Sequence, residues 1–571
     1  MWPHAKIRWG KRSGCSILHI KSEALPHSAA AHRGGTIKCR CVREDNVTTY
    51  KRFTSSRGAH ELTRADDTMA VLAAASLFGL SYLQVVLVAV LLVLVAAVLV
   101  SRLRQNTPCL PPGPWGFPVV GIFPALGSQP HHALARMAEK YGDVFRVKFG
   151  SRTVIILNGI DMVKEAFVKQ AACFAGRPAL YSFKQVKNGI TFKTYSPTWV
   201  ARKKVTVGAL KGFVYGRTGA LTASAETMIT EEAQELVRMF LSKAGQPCNP
   251  ELYTHTAVAN VVCALCFGKR YEHGNEDFRK LLQNTEKFRK AIGAGNPVDF
   301  MPWLRFFPNK NATLFKEAMD SSLQLFDKHI NFHLQTYDRA VIRDITDALI
   351  FSMSENQEAG LSADFVLECV IDIFGAGQDT SAQLLHWCFL YMLVFPDVQA
   401  RVQRELDGVV GRGRLPTLAD ESRLPYTAAT VQEIVRHTGI VPMSIPHLTT
   451  KDTQLNGYTV PKDTIVFANL WSVGHDRRIW GDPSSFRPER FLDPTGTALD
   501  AAAVEKTLPF SAGKRRCPGE VLARQEMFLF FSILLHQCTF ERVNGSAAPS
   551  LEAIYGLVMR PQPYSMIARP R

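Results

Sequence analysis

The clearest feature of the hydropathy pattern is a long uncharged stretch ahead of the main body of the chain. Ala70–Ser101 contains no charged side chain, and Tyr82–Val100 is almost wholly aliphatic. At 1.5 Å per residue, this aliphatic run approaches the roughly 30 Å hydrocarbon core of a bilayer. The alternative is a buried core helix, but the run lacks the amphipathic pattern of most globular helices. The pattern therefore predicts a transmembrane anchor over residues 69–101, and Arg102 and Arg104 place its following end on the cytosolic side.

The pattern changes sharply after this stretch. Pro108–Pro118 is rich in proline and predicts a stiff, non-helical hinge over residues 102–118. Residues 119–571 then predict one domain that is mainly α with a small β-sheet near the N-terminus. Alternating runs predict paired strands at Val144–Phe149 and Thr153–Leu157. Helices are predicted at Asp161–Gln170, Trp199–Gly208, Thr227–Ala244, Glu251–Phe267, Asn311–Gln335, Asp364–Val394, Val398–Val409, Tyr426–Thr438 and Gly519–Leu535.

Charge and cysteine usage exclude two classes of function. Of the net charge of +17, residues 1–68 carry +7, and no basic run in the remainder suits a nucleic-acid groove. We therefore expect anionic lipid and an acidic redox partner, and no nucleic acid. The twelve cysteines form no framework, which favours a reducing compartment. Cys39-Arg-Cys41 and Cys263-Ala-Leu-Cys266 lack second ligand pairs, so a zinc site is not expected.

Residues 1–68 are basic and polar, without strong periodicity. Met69 follows them directly, ahead of the predicted anchor. We expect the segment to be disordered or an artefact of gene prediction. The alternative is a targeting presequence that would direct the protein to mitochondria, which the acidic residues of the segment argue against.

The most specific chemical signal is Phe510-Ser-Ala-Gly-Lys-Arg-Arg-Cys517-Pro-Gly519, an F-x-x-G-x-R-x-C-x-G pattern. Its glycines permit tight turns and close approach to a flat ligand. Arg515, Arg516 and the start of the following helix are expected to favour the thiolate form of Cys517. The alternative is a buried structural cysteine. On this pattern, the chain resembles a cytochrome P450.

That resemblance implies haem b, with the thiolate of Cys517 as the axial iron ligand. Ala376-Gly-Gln-Asp379-Thr380-Ser381 would lie on a central helix across the haem, where Asp379 and Thr380 route protons to O2. Glu433-Ile-Val-Arg436, together with Arg490 of Pro488-Glu-Arg490-Phe491, would form a buried structural triad. The expected cofactor-binding residues are Trp199, Arg202, Lys203, His447, Phe510, Gly513, Arg515 and Gly519. Arg202 and Lys203 are alternatives, since the family pattern W-x-x-x-R reads Trp199-Val-Ala-Arg202-Lys203 here.

Further motifs resemble P450 family 1, the aryl-hydrocarbon-inducible microsomal monooxygenases. They include Asn296-Pro-Val-Asp-Phe-Met-Pro-Trp303 and Ser444-Ile-Pro-His447, while Leu534-Leu-His-Gln-Cys538 and Gln378 favour the 1B-type members. Family 1 pockets are narrow and aromatic and suit planar or steroid-like hydrophobic molecules. The corresponding wall here would be Phe192, Phe288, Asp372, Phe374, Gly375, Ala376 and Met443.

The resemblance implies a monooxygenase in the endoplasmic reticulum membrane with its catalytic domain in the cytosol. NADPH–cytochrome P450 reductase would deliver electrons, docking near Lys514, Arg516 and Lys204, with cytochrome b5 as a second donor. One rival is a P450 that rearranges peroxides without O2, a class that tends to lose the acid–threonine pair retained here. A non-catalytic haem sensor or scaffold is the second rival, and a multi-span receptor, which needs more than one span, is the third.

Overall fold

The computed structural model describes residues 8–12, 15–19, 84, 86–92, 95–96, 110–182, 189–214, 224–272, 274–292, 296–355 and 361–571. The chain divides into two units, Met1–Val93 and Leu94–Arg571. In the first unit, strands β1 (Arg8–Arg12) and β2 (Cys15–His19) pair antiparallel. Over the described ranges, no helix combines the length and apolar character needed to cross a membrane. Most of the 1–68 extension and most of the predicted anchor lie outside these ranges. Residues 102–109 of the predicted hinge also lie outside them.

The second unit is dominated by helices. In chain order they are α1 (Phe123–Leu126), α2 (Pro130–Tyr141), α3 (Gly159–Lys164), α4 (Pro197–Val214), α5 (Ala225–Leu241), α6 (Glu251–Phe267), α7 (Glu276–Ile292), α8 (Lys310–Thr336), α9 (Ile345–Glu355), α10 (Ala363–Val394), α11 (Pro396–Val409), α12 (Pro425–Thr438), α13 (Leu470–Gly474), α14 (Arg477–Trp480), α15 (Ala501–Glu505) and α16 (Glu520–Gln537). Proline is the first residue of several of them, where its missing N–H costs no helical hydrogen bond.

Helix α10 is the central element of the fold. The Ser362 hydroxyl caps its start by accepting from the Phe365 amide, and Pro396 follows its end. Every side chain from 381 to 393 is buried, so this half of the helix is enclosed on all sides. It packs against α6, α8 and α16. These contacts place α10 at the centre of the largest hydrophobic cluster.

The main β-sheet has four strands in the order β3-β4-β8-β5. Strands β3 (Val144–Phe149) and β4 (Arg152–Leu157) form the predicted hairpin, but β5 (His447–Leu448) and β8 (Ile465–Ala468) come from late in the chain. The sheet is therefore not confined to the N-terminal part of the domain. The β4–β8 contact is parallel, which requires a long connection between these strands.

Smaller antiparallel pairs complete the domain. They are formed by β6 (Thr453–Leu455) with β7 (Tyr458–Val460), β9 (Cys538–Arg542) with β12 (Met566–Pro570), and β10 (Ala553–Ile554) with β11 (Arg560–Pro561).

Candidate active site

Cys517 lies in a tight loop between the short turn Gly513–Arg515 and helix α16. Its amide nitrogen donates to the Phe510 carbonyl oxygen at 3.0 Å, which closes the loop. Gly513 has φ +70°, and a Cβ there would lie 1.6 Å from the Phe167 carbonyl oxygen, so only glycine fits. Gly519 has an ordinary φ of −90°, and a Cβ there would only touch the Cys517 sulfur at 4.0 Å. Of the two glycines that we expected to permit tight turns, Gly513 occupies a position that requires glycine and Gly519 does not.

The electrostatics of Cys517 differ from the expectation. Burial raises the pKa of the thiol, and the Glu520 carboxylate raises it further, whereas the Gly519 amide, Lys203 and Arg516 lower it. The nearby positive charges of Lys203 and Arg516 favour the thiolate as expected, but burial and Glu520 outweigh them, so the net shift of the thiol pKa is upward. Arg516 donates from Nε to Glu520 Oε2 at 2.6 Å and from Nη2 to Glu520 Oε1 at 2.8 Å, so Glu520 offsets the charge of Arg516. A bound cation is needed to stabilise the thiolate here.

Three cations lie around this loop. Arg515 is buried and donates to the carbonyl oxygens of Ala175, Ile190 and Lys193 at 2.7–3.0 Å. Lys203 Nζ donates to the carbonyl oxygen of Lys514 at 2.5 Å. Arg177, which sequence reasoning missed, is buried and bonded to the carbonyl oxygens of Thr191, Ile445 and Pro446.

These cations destabilise one another electrostatically. Burial, together with the neighbouring Arg515 and Arg177, lowers the pKa of Lys203 to about 8. Burial likewise lowers the pKa of Arg515 to about 10 and that of Arg177 well below its usual value. No carboxylate of the described segments forms a salt bridge with any of the three. Buried charges are ordinarily paired, so the cluster fits an anionic ligand.

The remaining predicted cofactor residues surround the cluster with their polar groups already bonded. Trp199 Nε1 donates to the Ile190 carbonyl oxygen at 2.8 Å, and the Arg515 guanidinium stacks 3.8 Å above the Trp199 ring. His447 Nδ1 donates to the Phe174 carbonyl oxygen at 2.7 Å, and burial keeps the pKa of this imidazole well below its usual value. A neutral His447 thus has only an acceptor nitrogen left.

The structure separates Arg202 from Lys203. Arg202 is buried with its guanidinium 5.1 Å from the centre of the Phe365 ring on α10. Lys203, one position later on α4, turns towards the cysteine loop. Lys203 is therefore the residue of this pair that contributes to the cation cluster.

The middle of α10 has the second group of predicted residues. Gly375 and Ala376 are exposed although Phe374 and Gln378 beside them are buried. A Cβ on Gly375 would have nothing within 4 Å, so this stretch of helix faces open space. Thr380 Oγ1 donates to the Ala376 carbonyl oxygen at 2.7 Å, as is common for threonine within a helix.

The carboxyl group of Asp379 can hold a proton close to neutral pH. Burial raises the pKa of its carboxyl group to about 6, although Arg289 and a hydrogen bond from Gln383 lower it. Its Oδ1 atom is buried and has no hydrogen-bond partner. A buried carboxyl that titrates near neutrality is suited to proton transfer.

The predicted substrate wall is assembled in part. Phe374 packs 5.4 Å from Phe326, and Phe288 packs 5.5 Å from Phe315, measured between ring centres. Phe192 is half-buried. Met443 packs instead with Phe300 in the cluster under the four-stranded sheet.

Asp372 has a different contact from the one expected of a wall residue. Its Oδ2 accepts from the amides of Ile190 and Thr191 at 2.7 and 2.9 Å, so it ties this loop to α10. Burial raises the pKa of Asp372 to about 6.

The predicted triad meets in the interior. Both Glu433 carboxylate oxygens accept from Arg436, at 2.6 and 2.8 Å, and Arg490 Nε lies 3.3 Å from Glu433 Oε1. Arg436 also bonds to the carbonyl oxygens of Gly474 and Pro483. The triad therefore joins α12 to the segment beyond α13.

Comparison with known proteins identifies the family. Residues 111–568 match the family Cytochrome P450. The chain belongs to the cytochrome P450 family. It is 42% identical over 463 residues to cytochrome P450 1A1 of Felis catus, covering 79% of this chain and 89% of the relative.

Two further relatives agree with this assignment. Cytochrome P450 1A1 of Homo sapiens is 40% identical over 79% of this chain and 90% of its own length. Cytochrome P450 1A5 of Gallus gallus is 40% identical over 86% of this chain and 96% of its own length. The family 1 resemblance is confirmed, and the chain is an oxidoreductase of the P450 monooxygenase family. The resemblance to 1B-type members stays a prediction.

The described residues fit the haem that this family binds through a cysteine thiolate. Cys517 is solvent-accessible although protein surrounds it closely enough to raise the pKa of its thiol, so its sulfur faces an interior space. The three unpaired cations suit the two haem propionates. Arg177 was missed because a single Gly-Arg-Pro sequence gives no periodic signal. Its position inside the apolar segment Phe174-Ala-Gly-Arg-Pro178 was the one sequence feature that indicated a buried arginine.

A second polar cluster, His333, Asp344 and Asp347, has the residue types of a metal site. Its ligand atoms are already used within the protein. His333 Nε2 bonds Asp344 Oδ2 at 2.6 Å, and Arg343 binds both oxygens of Asp347. The cluster is therefore an ion-pair junction between α8 and α9.

Proposed function

We propose that this protein is a membrane-bound monooxygenase that inserts one oxygen atom from O2 into planar aromatic or steroid-like substrates, using electrons from NADPH through a P450 reductase. The observation that carries the proposal is an accessible Cys517 beside three cations that form no salt bridge within the described part of the chain, the buried Arg177 and Arg515 and the half-buried Lys203. A haem-thiolate, when bound, supplies the activation of O2.

Each residue has a defined part in this proposal. Cys517 is the iron ligand, and Arg177, Lys203 and Arg515 hold the propionates. Gly513 lets the loop approach closely, because no side chain fits beside Phe167. Asp379 holds a proton in an environment from which water is largely excluded, and Thr380 passes it onward.

The substrate class is inferred from the aromatic lining. Phe288 and Phe374 belong to neighbouring clusters that both contact α10, with Ile371 packed against each cluster. Aromatic faces favour flat ligands by about 0.5–1.5 kcal/mol per pair beyond burial. The open space at Gly375 gives a planar molecule room beside the helix.

Electron delivery is proposed on the face that carries the cysteine loop. Lys204 and Lys514 are exposed there, and Lys203 Nζ joins α4 to the loop through the Lys514 carbonyl oxygen. Exposed lysines attract an acidic partner surface over a distance of about 8–10 Å at moderate salt. NADPH–cytochrome P450 reductase is the proposed partner, with cytochrome b5 as a second donor.

Membrane attachment, proposed at the endoplasmic reticulum, is supported by exposed apolar side chains. In the helical residues 86–92, Leu87, Leu91 and Leu92 are 58–63% exposed. In the catalytic unit, Trp303, Phe306 and Phe307 are 44–75% exposed. Exposed aromatic side chains of this kind suit the interface between lipid headgroups and water.

The test is turnover by the full-length protein in lipid vesicles with NADPH–P450 reductase and a planar alkoxyresorufin. We expect O-dealkylation that requires both NADPH and the reductase. A protein with a normal thiolate-type CO spectrum and no turnover of planar substrates would exclude the substrate class. Rearrangement of an added hydroperoxide without reductase would instead favour the peroxide-rearranging class.

A further inference from the structure

A buried polar network extends from Asp379 to the neighbouring helix α6. The imidazole of His255 on α6 contacts two glutamines of α10. His255 Nδ1 lies 2.9 Å from Gln378 Nε2, and His255 Nε2 lies 3.0 Å from Gln383 Nε2. Gln383 lies one helical turn after Asp379 on α10, where side chains four residues apart are neighbours, and it lowers the pKa of the Asp379 carboxyl group. The network thus connects two helices through one imidazole ring.

The His255 ring is neutral at physiological pH. Burial, with a smaller contribution from Arg289, lowers the pKa of His255 to about 4. Both glutamine atoms that face the ring are amide nitrogens, which only donate, so the unprotonated ring nitrogen accepts from one glutamine. The ring N–H donates to the other glutamine when that amide is turned to present its Oε1, which otherwise has no partner. Both glutamine side chains are held in one orientation by this ring, and Gln378 and Gln383 are fully buried.

The network has a charged outer edge on α6 and α7. Arg289 Nη1 donates to Glu251 Oε1 at 3.0 Å, and Arg289 also pairs with Glu286. The Glu251 and Glu286 side chains are 30% and 37% exposed. Arg289 lowers the pKa of Asp379, whereas Glu286 raises it. Solvent therefore reaches Glu286, which acts electrostatically on Asp379, and Glu251, which pairs with Arg289.

Two more charged or titratable groups act on the network from elements packed around it. Arg560 of β11 lowers the pKa of Asp379, and β11 packs against α10. Burial, and to a smaller extent the neighbouring His255, lowers the pKa of His386 on α10 to about 3, so the His386 ring is neutral.

The carboxyl group of Asp379 is only partly hydrogen-bonded, which leaves one oxygen available for proton transfer. Its Oδ1 atom is buried without a partner, and buried acceptors in folded proteins are rarely left unbonded. The other side of the carboxyl is fixed by Gln383, so the unbonded oxygen has a defined orientation.

We propose that His255 and Gln383 are positioning residues that orient Asp379 for proton transfer, with protons entering at the Glu251–Arg289–Glu286 edge. This inference rests on the monooxygenase function proposed above. Each time the Asp379 carboxyl gives a proton towards Thr380, it regains one from water at that edge, so the two protons that reduction of O2 to product and water requires are passed in two such transfers. His255 and Gln383 keep their own protons.

The experiment uses the full-length holoenzyme and the variants Gln383→Met and His255→Phe, which keep side-chain size but lose the hydrogen bonds. His386→Phe is the matched control, because both ring nitrogens of this buried histidine lack partners. Thermal unfolding and the reduced CO spectrum verify folding, and either variant alone is sufficient for the test.

The first measurement is infrared difference titration of the Asp379 carboxyl, assigned with Asp379→Asn. Gln383 stabilises the ionised carboxyl, so Gln383→Met should move the titration to higher pH, and His255→Phe should move it in the same direction. His386→Phe should leave it unchanged. Titrations that coincide in wild type and both variants would overturn the proposal. This readout needs no reductase, so it stands even if the proposed substrate class fails.

The second measurement is product formed per NADPH consumed. We expect about a tenfold loss in the two variants, less than the 10²–10⁴-fold contribution of a general acid itself, with hydrogen peroxide replacing product. Coupling equal to that of His386→Phe in both variants would also overturn the proposal.

Discussion

At the scale of single residues, Thr380 is the hydroxyl directly beside Asp379 on α10. Its Oγ1 donates to the Ala376 carbonyl oxygen, at the stretch where the helix faces open space. We expect Thr380→Ala to keep the fold but divert electrons from product to hydrogen peroxide, because the route for the Asp379 proton is interrupted. The measurement is peroxide released per NADPH, with Thr430→Ala on α12 as the control. Unchanged coupling would remove Thr380 from proton delivery.

Some residue roles were accessible from sequence and others were not. The loop around Cys517 was predictable because several residue types at fixed spacing mark it. The rise in its thiol pKa was not, since it results from burial and from Glu520, which lies on the next helix. Asp372 was assigned to the substrate wall by resemblance to the family. Its bonds to the Ile190 and Thr191 amides could not be predicted, because they depend on how a distant loop folds back.

At the scale of elements, the Glu433 triad joins α12 to the segment that follows α13. Glu433 and Arg436 have no exposed side-chain surface. We expect Glu433→Gln to lower the free energy of unfolding by about 3–5 kcal/mol, because it leaves the buried Arg436 without its countercharge. Arg490 would keep its ion pair with Asp482. Chemical denaturation followed by circular dichroism provides the measurement.

Glu489→Gln is the matched control for the triad. Glu489 pairs with Arg401, and both side chains are about half exposed, at 50% and 47%. We expect a change of about 0–1 kcal/mol there. Equal effects of the two substitutions would contradict a structural role for the triad.

Helix α16 contains a buried acid with a testable pH signature. Burial raises the pKa of Glu526 to about 8, against 4.5 for an ordinary glutamate. Between these values the folded state holds a proton that the unfolded state has lost, so stability falls as pH rises from about 4.5 to about 8. We expect Glu526→Gln to remove this loss, so that its melting temperature exceeds the wild-type value increasingly across that window. A constant difference at all pH values would contradict the assignment.

Most of the long helices were predictable, and the exceptions have physical causes. The predicted bounds of α6 and α10 agree with the structure within one residue because their apolar runs are long and continuous. Helices α2, α7 and α9 were not predicted; α7 in particular is rich in charged residues, and its apolar face is narrow. The pairing of β4 with β8 joins segments far apart in sequence, which local patterns do not encode.

At the scale of the whole molecule, the proposed membrane contact unites two segments of the catalytic unit. Trp115, Phe117 and Val119 are 39–57% exposed, and the Gly150 amide donates to the Val120 carbonyl oxygen. A Cβ on Gly150 would contact the Met301 side chain. The segment that leads to Trp303 therefore starts beside Gly150, where the segment that ends at Val120 also lies. The two exposed aromatic groups therefore originate from one corner of the sheet.

We expect Trp303 to contact lipid when the full-length protein is in a bilayer. Brominated lipids should quench part of the tryptophan fluorescence, and Trp303→Phe should reduce the quenched fraction. Trp387→Phe, which removes a tryptophan that is 1% exposed, should not. A quenched fraction unaffected by Trp303→Phe would show that this surface faces water.

The central claim is that Cys517 is the axial ligand of a haem-thiolate monooxygenase. The most direct test is the reduced CO difference spectrum of the full-length protein and of Cys517→Ser, with Cys538→Ser as a control for a buried cysteine outside the loop. We predict the thiolate-type Soret band in wild type and Cys538→Ser, and its loss together with turnover in Cys517→Ser. A thiolate-type band that persists in Cys517→Ser would contradict the account.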